Sequence, residues 1–490
     1  MCMNNQNNTP LLDGLYEYQK KRIVGFDVPG HKQKKINKSL IDVFSYQTLA
    51  LDFNASKALD NLANPSGIIA QAQQLAAELF RAKHAFFIVN GTSLAVMVMI
   101  MSVAKKGEKI ILPRNVHKSV INALVLSGIN PIYVNPQVDK QLGIGLAMDV
   151  MDIENTIKQH PDAKAIFVNN PTYYGVCADL TSIVSLAKDS NMHVIVDEAH
   201  GTHFYFSDEL PISAMDAGAT MSSVSMHKTG GSLTQSSMIL INEDIDKDHV
   251  LSIINLLQTT SPSYLLMASL DIARRELALF GKEQVSKILQ ISEYARKEIN
   301  NMDGYYAFSK EKANQPGFYD FDRTKLSVHT YNAGLSGLQV YEKLRDEYDI
   351  QVEFGDLSNI LAIVSFGDRY LDIERLLAAL SDIKRNVDNS DKEMIFSEYL
   401  HPICVLSPTD AYNATKESIS KKQSIGKICG ESIMAYPPGI PIVSYGELIT
   451  KKVIDVIDYI QANHGFLMGA KDSSLSYIQV VKEQENGIMV

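Results

Sequence analysis

The sequence predicts an α/β protein built on a mainly parallel sheet covered on both faces, and three observations carry that expectation. Between residues 84 and 242, short apolar β-branched runs alternate with segments long enough for crossover helices. The first five runs lack the apolar–polar alternation of a half-exposed strand, so they read as buried on both faces. Hydrophobic residues make up 46% and charged residues 21% of the 490, the mix of an ordinary globular protein with a large core to bury.

In chain order the runs are AFFIVN (85–90), KIILP (109–113), NPIYVN (130–135), AKAIFVNN (163–170), MHVIVDEAH (192–200) and SSMILIN (236–242). The intervening SVINALVLSG and LTSIVSLAKDS have the length and pattern of crossover helices. Before this core, residues 1–60 read as an arm containing the turn VPGHK; the core itself fills a large domain over 61–285. The segment LLQTTSPSYLLMASLDIARRELALFGKEQVSKILQISEYARKEI starts with a turn and continues as long amphipathic helices. KANQPGFYDFDRTK reads as a loop, and 326–385 carries a β-α-β-like pattern within a small α/β domain over 286–395. The polar run RNVDNSDKE marks a linker into a C-terminal domain over 396–490, which contains the turn-rich YPPGIP.

The balance of 46 basic against 56 acidic residues, a formal charge of -10, disfavours nucleic acid, and there is no basic stripe. Cys2, Cys177, Cys404 and Cys429 show no metal-ligand spacing and are too few to staple a chain this long, so they read as reduced thiols and no metal site is expected. The start MCMNNQNNTP has no apolar signal core, and no run approaches the roughly 18 apolar residues that span a bilayer. The expectation is a cytoplasmic protein without a membrane partner.

Ligands of such sheets gather beyond the carboxyl ends of the strands. After AFFIVN come Gly91, Thr92 and Ser93, where a permissive backbone, hydroxyls and a helix N-terminus suit a phosphate; a plain helix cap is the alternative. After KIILP comes His117, and after MHVIV come Asp197, Glu198, Ala199 and His200, a strand-end carboxylate that needs a partner. The stretch VSMHKTGGSLTQSS then sets Lys228 among Ser225, His227 and two glycines. A partly desolvated lysine amine condenses with aldehydes, so phosphate seat, aspartate and lysine together are the parts that hold pyridoxal phosphate. In that arrangement the aspartate keeps the ring nitrogen protonated and the lysine holds the aldehyde.

VDEAHGTHFYF, ELPISAMDAGATMSSVSMHKTGGSLTQSS, PTYYGV, LLQTTSPSYLLMASLD and YPPGIP resemble the Orn/Lys/Arg decarboxylase family over nearly the whole chain. Within it the chain is most similar to the shorter, biosynthetic, arginine-specific bacterial members. The resemblance implies a fold type I pyridoxal-phosphate enzyme with an aminotransferase-like large domain and smaller α+β C-terminal domains. It implies Lys228 as the cofactor lysine, Asp197 as partner of the ring nitrogen and His117 as the histidine stacked on the ring. It further implies Thr92, Ser93, Ser225 and His227, next to Gly91, as phosphate-side residues, with His200 a further candidate beside the cofactor. It also implies a homodimer or higher homo-oligomer with shared sites, in which Thr259–Ser263, including Ser261, serves the neighbour's phosphate site and Pro29–His31 lies near the site.

The implied reaction is decarboxylation of a basic amino acid: arginine to agmatine and CO2, serving polyamine synthesis, with lysine and ornithine left open. Glu353, Asp356 and Glu431 are candidates for the cationic tail. The chain departs from the family pattern at Asp27 and Ala63, where histidines are usual, and at Thr409, where arginine is common. Two alternatives stand beside this reading: another reaction on the same cofactor, and a cofactor-binding paralogue with a regulatory role.

Overall fold

Seven strands carry the core, formed where β-branched and aromatic runs sit between turns: β1 (His84–Ile88), β2 (Lys109–Pro113), β3 (Asn130–Val134), β4 (Ala165–Asn169), β5 (His193–Asp197), β6 (Met221–Val224) and β7 (Ser237–Ile241). The computed structural model describes residues 5–34, 38–242, 245–387, 400–436, 439–463 and 465–482. It falls into two compact units, Met1–Ser102 with Ile195–Ser286, and Val103–Val194 with Lys287–Val490. Most of the linker run RNVDNSDKE, as well as Pro437 and Pro438 of YPPGIP, lies outside the described residues.

In the first unit β1 pairs antiparallel with β7, β7 antiparallel with β6, and β6 parallel with β5 through Ile195–Asp197. Asp197 stands opposite Ser223 in that register. Helix α1 (Gly91–Val103) is apolar on nearly every side; Leu94, Ala95, Val96, Val98, Met99 and Ile100 are at most 5% exposed, as a helix packed within a core requires. Each large side chain so buried contributes roughly 1.5–3 kcal/mol. The expected amphipathic stretch after TTSPS is one 37-residue helix, Tyr264–Asn300. Its first part binds the N-terminal arm: Asp271 accepts the Leu11 N–H at 3.0 Å, and Arg274 donates to Gln6 O at 2.6 Å.

In the second unit β2 pairs in parallel with both β3 and β4. Helix α2 (Lys118–Ser127) follows β2 and ends at Gly128, whose φ of 72° is the left-handed geometry that glycine supplies at a helix C-terminus. A second, antiparallel sheet runs in the order Tyr306–Ala307, Lys325–His329, Asn359–Ile363, Phe354–Gly355. Helices Gly337–Tyr348 and Tyr370–Arg385 complete this part. Beyond it come a three-stranded sheet centred on Ile433–Tyr436, a two-stranded sheet of Lys416–Ser420 with Tyr477–Val481, and helix Lys451–Ala462.

The expectation of a mainly parallel α/β sheet is met by β2 to β6, while β7 runs antiparallel to both neighbours. Strand β6 was not legible from sequence, because MSSV places two serines in a fully buried strand. The Ser222 hydroxyl is satisfied there by Glu198, as described below. Among the described residues, no helix is long and apolar enough to cross a membrane, and no three His, Cys, Asp or Glu side chains gather as a metal site.

Candidate active site

The hydroxyls expected to seat a phosphate do come together in the first unit. Gly91 opens α1 with φ 76°, a conformation costly for other residues, and among the described residues nothing lies within 4 Å of where its Cβ would be. Thr92 Oγ1, in the first turn, bonds to Ser225 Oγ and lies 2.8 Å from Ser237 Oγ. Ser237 spends its proton on the Val224 carbonyl at 2.8 Å. It therefore accepts from Thr92, and Thr92 in turn accepts from Ser225, which orders the row. Ser93 is exposed beside it at the helix N-terminus, where free N–H groups favour an anion. The loop bearing Ser261 is tied to the end of β1: Gln258 Oε1 accepts the Val89 N–H at 3.0 Å, and Asn90 Oδ1 accepts the Thr259 N–H at 3.4 Å. Ser261 itself is exposed.

At the end of β5 the chain turns through Asp197, Glu198, Ala199 and His200. Asp197 Oδ1 accepts the Ala199 N–H at 3.1 Å, and the residue keeps part of its surface open. Burial in the surrounding protein pushes its pKa up, opposed by the positive charge of Lys228 and by that N–H. His200 is buried, and its Nε2 lies 2.9 Å from Lys228 Nζ. Lys228 sits on the single turn Met226–Thr229 that follows β6. His227 donates from Nδ1 to Ser236 O at 2.9 Å; burial, and then the Lys228 charge, lower its pKa. Thus Thr92, Ser225 and His227 lie in one unit with the Asp197, His200 and Lys228 group.

Other residues singled out by sequence have different surroundings. In the second unit His117 caps α2: its Nδ1 accepts the Ser119 N–H at 3.2 Å, which leaves the proton of the neutral ring on Nε2. Asp356 accepts from Tyr174 Oη, from Ser358 N at 2.7 Å and from Asn359 N at 2.6 Å. Glu431 accepts from Lys471 N at 2.7 Å and Gln479 N at 2.8 Å. Both carboxylates tie loops together. Glu353 and Asp27 are exposed, and Ala63, also exposed, offers its carbonyl to Asn255 at 2.8 Å. His31 of the arm pairs with Asp52 at 3.0 Å.

Sequence reasoning gave no role to Ser237, Ser222 or Glu198. The run of hydroxyls after the two glycines was the available signal for Ser237. Only the fold reveals that Ser222 faces Glu198.

The family model for the Orn/Lys/Arg decarboxylase major domain matches residues 9–370, and that for the C-terminal domain matches residues 390–468. The chain belongs to the Orn/Lys/Arg decarboxylase family. Within that family, it is 43% identical to the arginine decarboxylase of Bacillus subtilis over 98% of this chain and 99% of the relative. It is 42% identical to the arginine decarboxylase of Bacillus anthracis, with 98% of each chain covered. The crystal structure of the Francisella novicida lysine decarboxylase has the same fold, with TM-score 0.83 at 20% identity, over 97% of this chain and 82% of that one.

Family and fold imply pyridoxal phosphate as cofactor. The residues present suit it. A lysine amine, an aspartate open on one side and a row of hydroxyls at a helix N-terminus lie in one unit, with open space over Gly91. Thr229 Oγ1, next to Lys228, is buried with no hydrogen-bond partner among the described residues.

Proposed function

We propose that the chain is an arginine decarboxylase that uses pyridoxal phosphate and releases agmatine and CO2, agmatine being a precursor for polyamine synthesis. The observation that carries this reading is the 2.9 Å meeting of Lys228 Nζ with His200 Nε2, on a turn whose first residue is Asp197. Full-length likeness to two Bacillus arginine decarboxylases supports the choice of substrate. Bound here, pyridoxal phosphate supplies the electron sink that lets the substrate carboxylate leave as CO2.

The remaining work falls to the chain. Lys228 supplies the amine that tethers the cofactor. Asp197, with the Lys228 charge drawing it toward its ionised form, supplies a carboxylate for the ring nitrogen. Gly91, Thr92, Ser93, Ser225 and His227 form the phosphate side. His117 is assigned to the ring face and Ser261 to a neighbour's phosphate, both on the family resemblance.

We place the enzyme in the cytoplasm as a homodimer. Cys177, Cys404 and Cys429 are free thiols, which suits a reducing compartment. The arm leaves Ile23, Val24, Phe26 and Val28 between 55% and 95% exposed, an apolar stretch that calls for cover by a second copy. The departure at Thr409 has a structural account: its hydroxyl lies 3.0 and 2.8 Å from the Leu124 and Val125 carbonyls, at the end of α2. That weakens the case for a non-catalytic paralogue.

The test supplies purified holoenzyme with arginine, lysine and ornithine separately and measures CO2 and amine. Agmatine and CO2 from arginine, with little from the other two, is the expected result. Faster turnover of lysine or ornithine would overturn the substrate, and the absence of CO2 from all three would overturn the reaction.

A further inference from the structure

Glu198 is the one buried acid of the Asp197–His200 turn to which the reaction gives no task. Its side chain is sunk in the first unit, 0% exposed, and three donors from three separate elements converge on it. Tyr205 Oη donates to Oε2 at 2.8 Å from the 3₁₀ turn Thr202–Phe206, and Ser222 Oγ to the same oxygen at 2.9 Å from β6. The Ala214 N–H donates to Oε1 at 2.8 Å from a following turn. The backbone is fastened too: the Glu198 N–H donates to Ser223 O at 3.0 Å, and the Gly201 N–H closes the turn on Glu198 O at 2.8 Å. A Cβ on Gly201 would sit 2.7 Å from Glu198 Cγ, so the glycine makes room for the carboxyl. Thr202 Oγ1 then bonds to Ser225 O at 3.3 Å, lacing this turn to the residues leading into Lys228.

We propose that Glu198 is a positioning residue for the cofactor lysine: it holds the turn so that His200 Nε2 meets Lys228 Nζ. The inference rests on the assignment of Lys228 as that lysine. A lysine ammonium only donates, so His200 accepts from it, and a hydrogen bond to the charged form raises the pKa of the amine. Among the described residues, Asp197, His200 and His227 face Lys228, and Tyr205 and Asp216 face Glu198. Glutamine in place of Glu198 can accept from Ala214 N and donate to the two hydroxyl oxygens, so it keeps the turn while removing the charge.

The test measures the pH at which Lys228 becomes half-reactive toward acetic anhydride, read by mass spectrometry on the full-length chain freed of cofactor. His200→Ala and Glu198→Ala should each lower that pH by about one unit, and the double variant should lower it no further. Glu198→Gln should keep the wild-type value. The proposal is overturned if Glu198→Ala lowers the melting temperature but leaves the half-labelling pH in place. It is equally overturned if the two losses add, or if glutamine acts like alanine, since charge and not position would then be at work. Should Glu198→Ala fail to fold, Tyr205→Phe and Ser222→Ala each remove one donor; half-labelling pH unchanged in both would overturn the proposal, and a fall toward the His200→Ala value would support it. The holoenzyme serves as a control, because Lys228 should be protected there. Equal labelling with and without cofactor would refute the assignment of Lys228 itself, a failure separate from that of Glu198.

Discussion

A lysine amine set 2.9 Å from a buried histidine, with an aspartate three residues before that histidine, costs desolvation. That cost makes sense if the amine has chemistry to do. Lys228→Ala should abolish the visible absorbance of the lysine-bound cofactor together with turnover; a variant that stays yellow refutes the role. Asp197→Ala should retain cofactor but lose nearly all turnover, and near-normal rates would remove Asp197 from the mechanism. Much of this was legible in the sequence, because a lysine between serines and glycines and an acid at a strand end are conspicuous in an apolar α/β pattern. Glu198 was not, since its three donors come from residues 205, 214 and 222, brought together only by folding.

At the scale of elements, α2 is held at both ends. His117 caps its start, and Thr409 reaches the Leu124 and Val125 carbonyls near its end. Just before it, at the end of β2, Arg114 makes a two-pronged pair with Glu447 at 2.6 and 2.8 Å, both side chains at most 3% exposed. Glu447 also accepts the Ser444 N–H at 2.9 Å, and the Arg114 guanidinium lies 5.1 Å from the Tyr133 ring centre. Removing one member strands a buried charge, so Glu447→Ala should destabilise the protein by about 3–5 kcal/mol in urea unfolding. A loss under about 1 kcal/mol would mean that the pair is compensated by other contacts. Nothing near Arg114 in sequence announces this pair, because its partner lies 333 residues away.

At the scale of the whole molecule, Glu198 links stability to pH. Burial pushes Glu198 up to about 8 from 4.5, against three hydrogen bonds that favour its charged form. A carboxyl with a raised folded-state pKa binds more protons folded than unfolded between those values. Its contribution is therefore full below about pH 4.5 and lost as pH rises through about 8. Urea midpoints at pH 5 and pH 8 should differ less in Glu198→Gln than in the wild type; an identical difference in both would refute the shift. The arm is anchored to the long helix by Arg274, Asp271 and Arg275, which bind residues 6 to 11, and then presents Phe26 at 95% exposure. Sedimentation should show a dimer at working concentrations, and a fully active monomer would end the case for shared sites at Ser261.

The sequence by itself determined the α/β class, the family and the cofactor. Local patterning and short motifs encode these, through apolar runs such as AFFIVN and stretches such as VDEAHGTHFYF that resemble the family. It could not reveal the serine-bearing strand β6, the hydroxyl row from Ser225 through Thr92 to Ser237, or the enclosure of Glu198. Each of these depends on polar groups distant in the chain satisfying one another out of water, and only the packed tertiary structure decides which donor meets which acceptor.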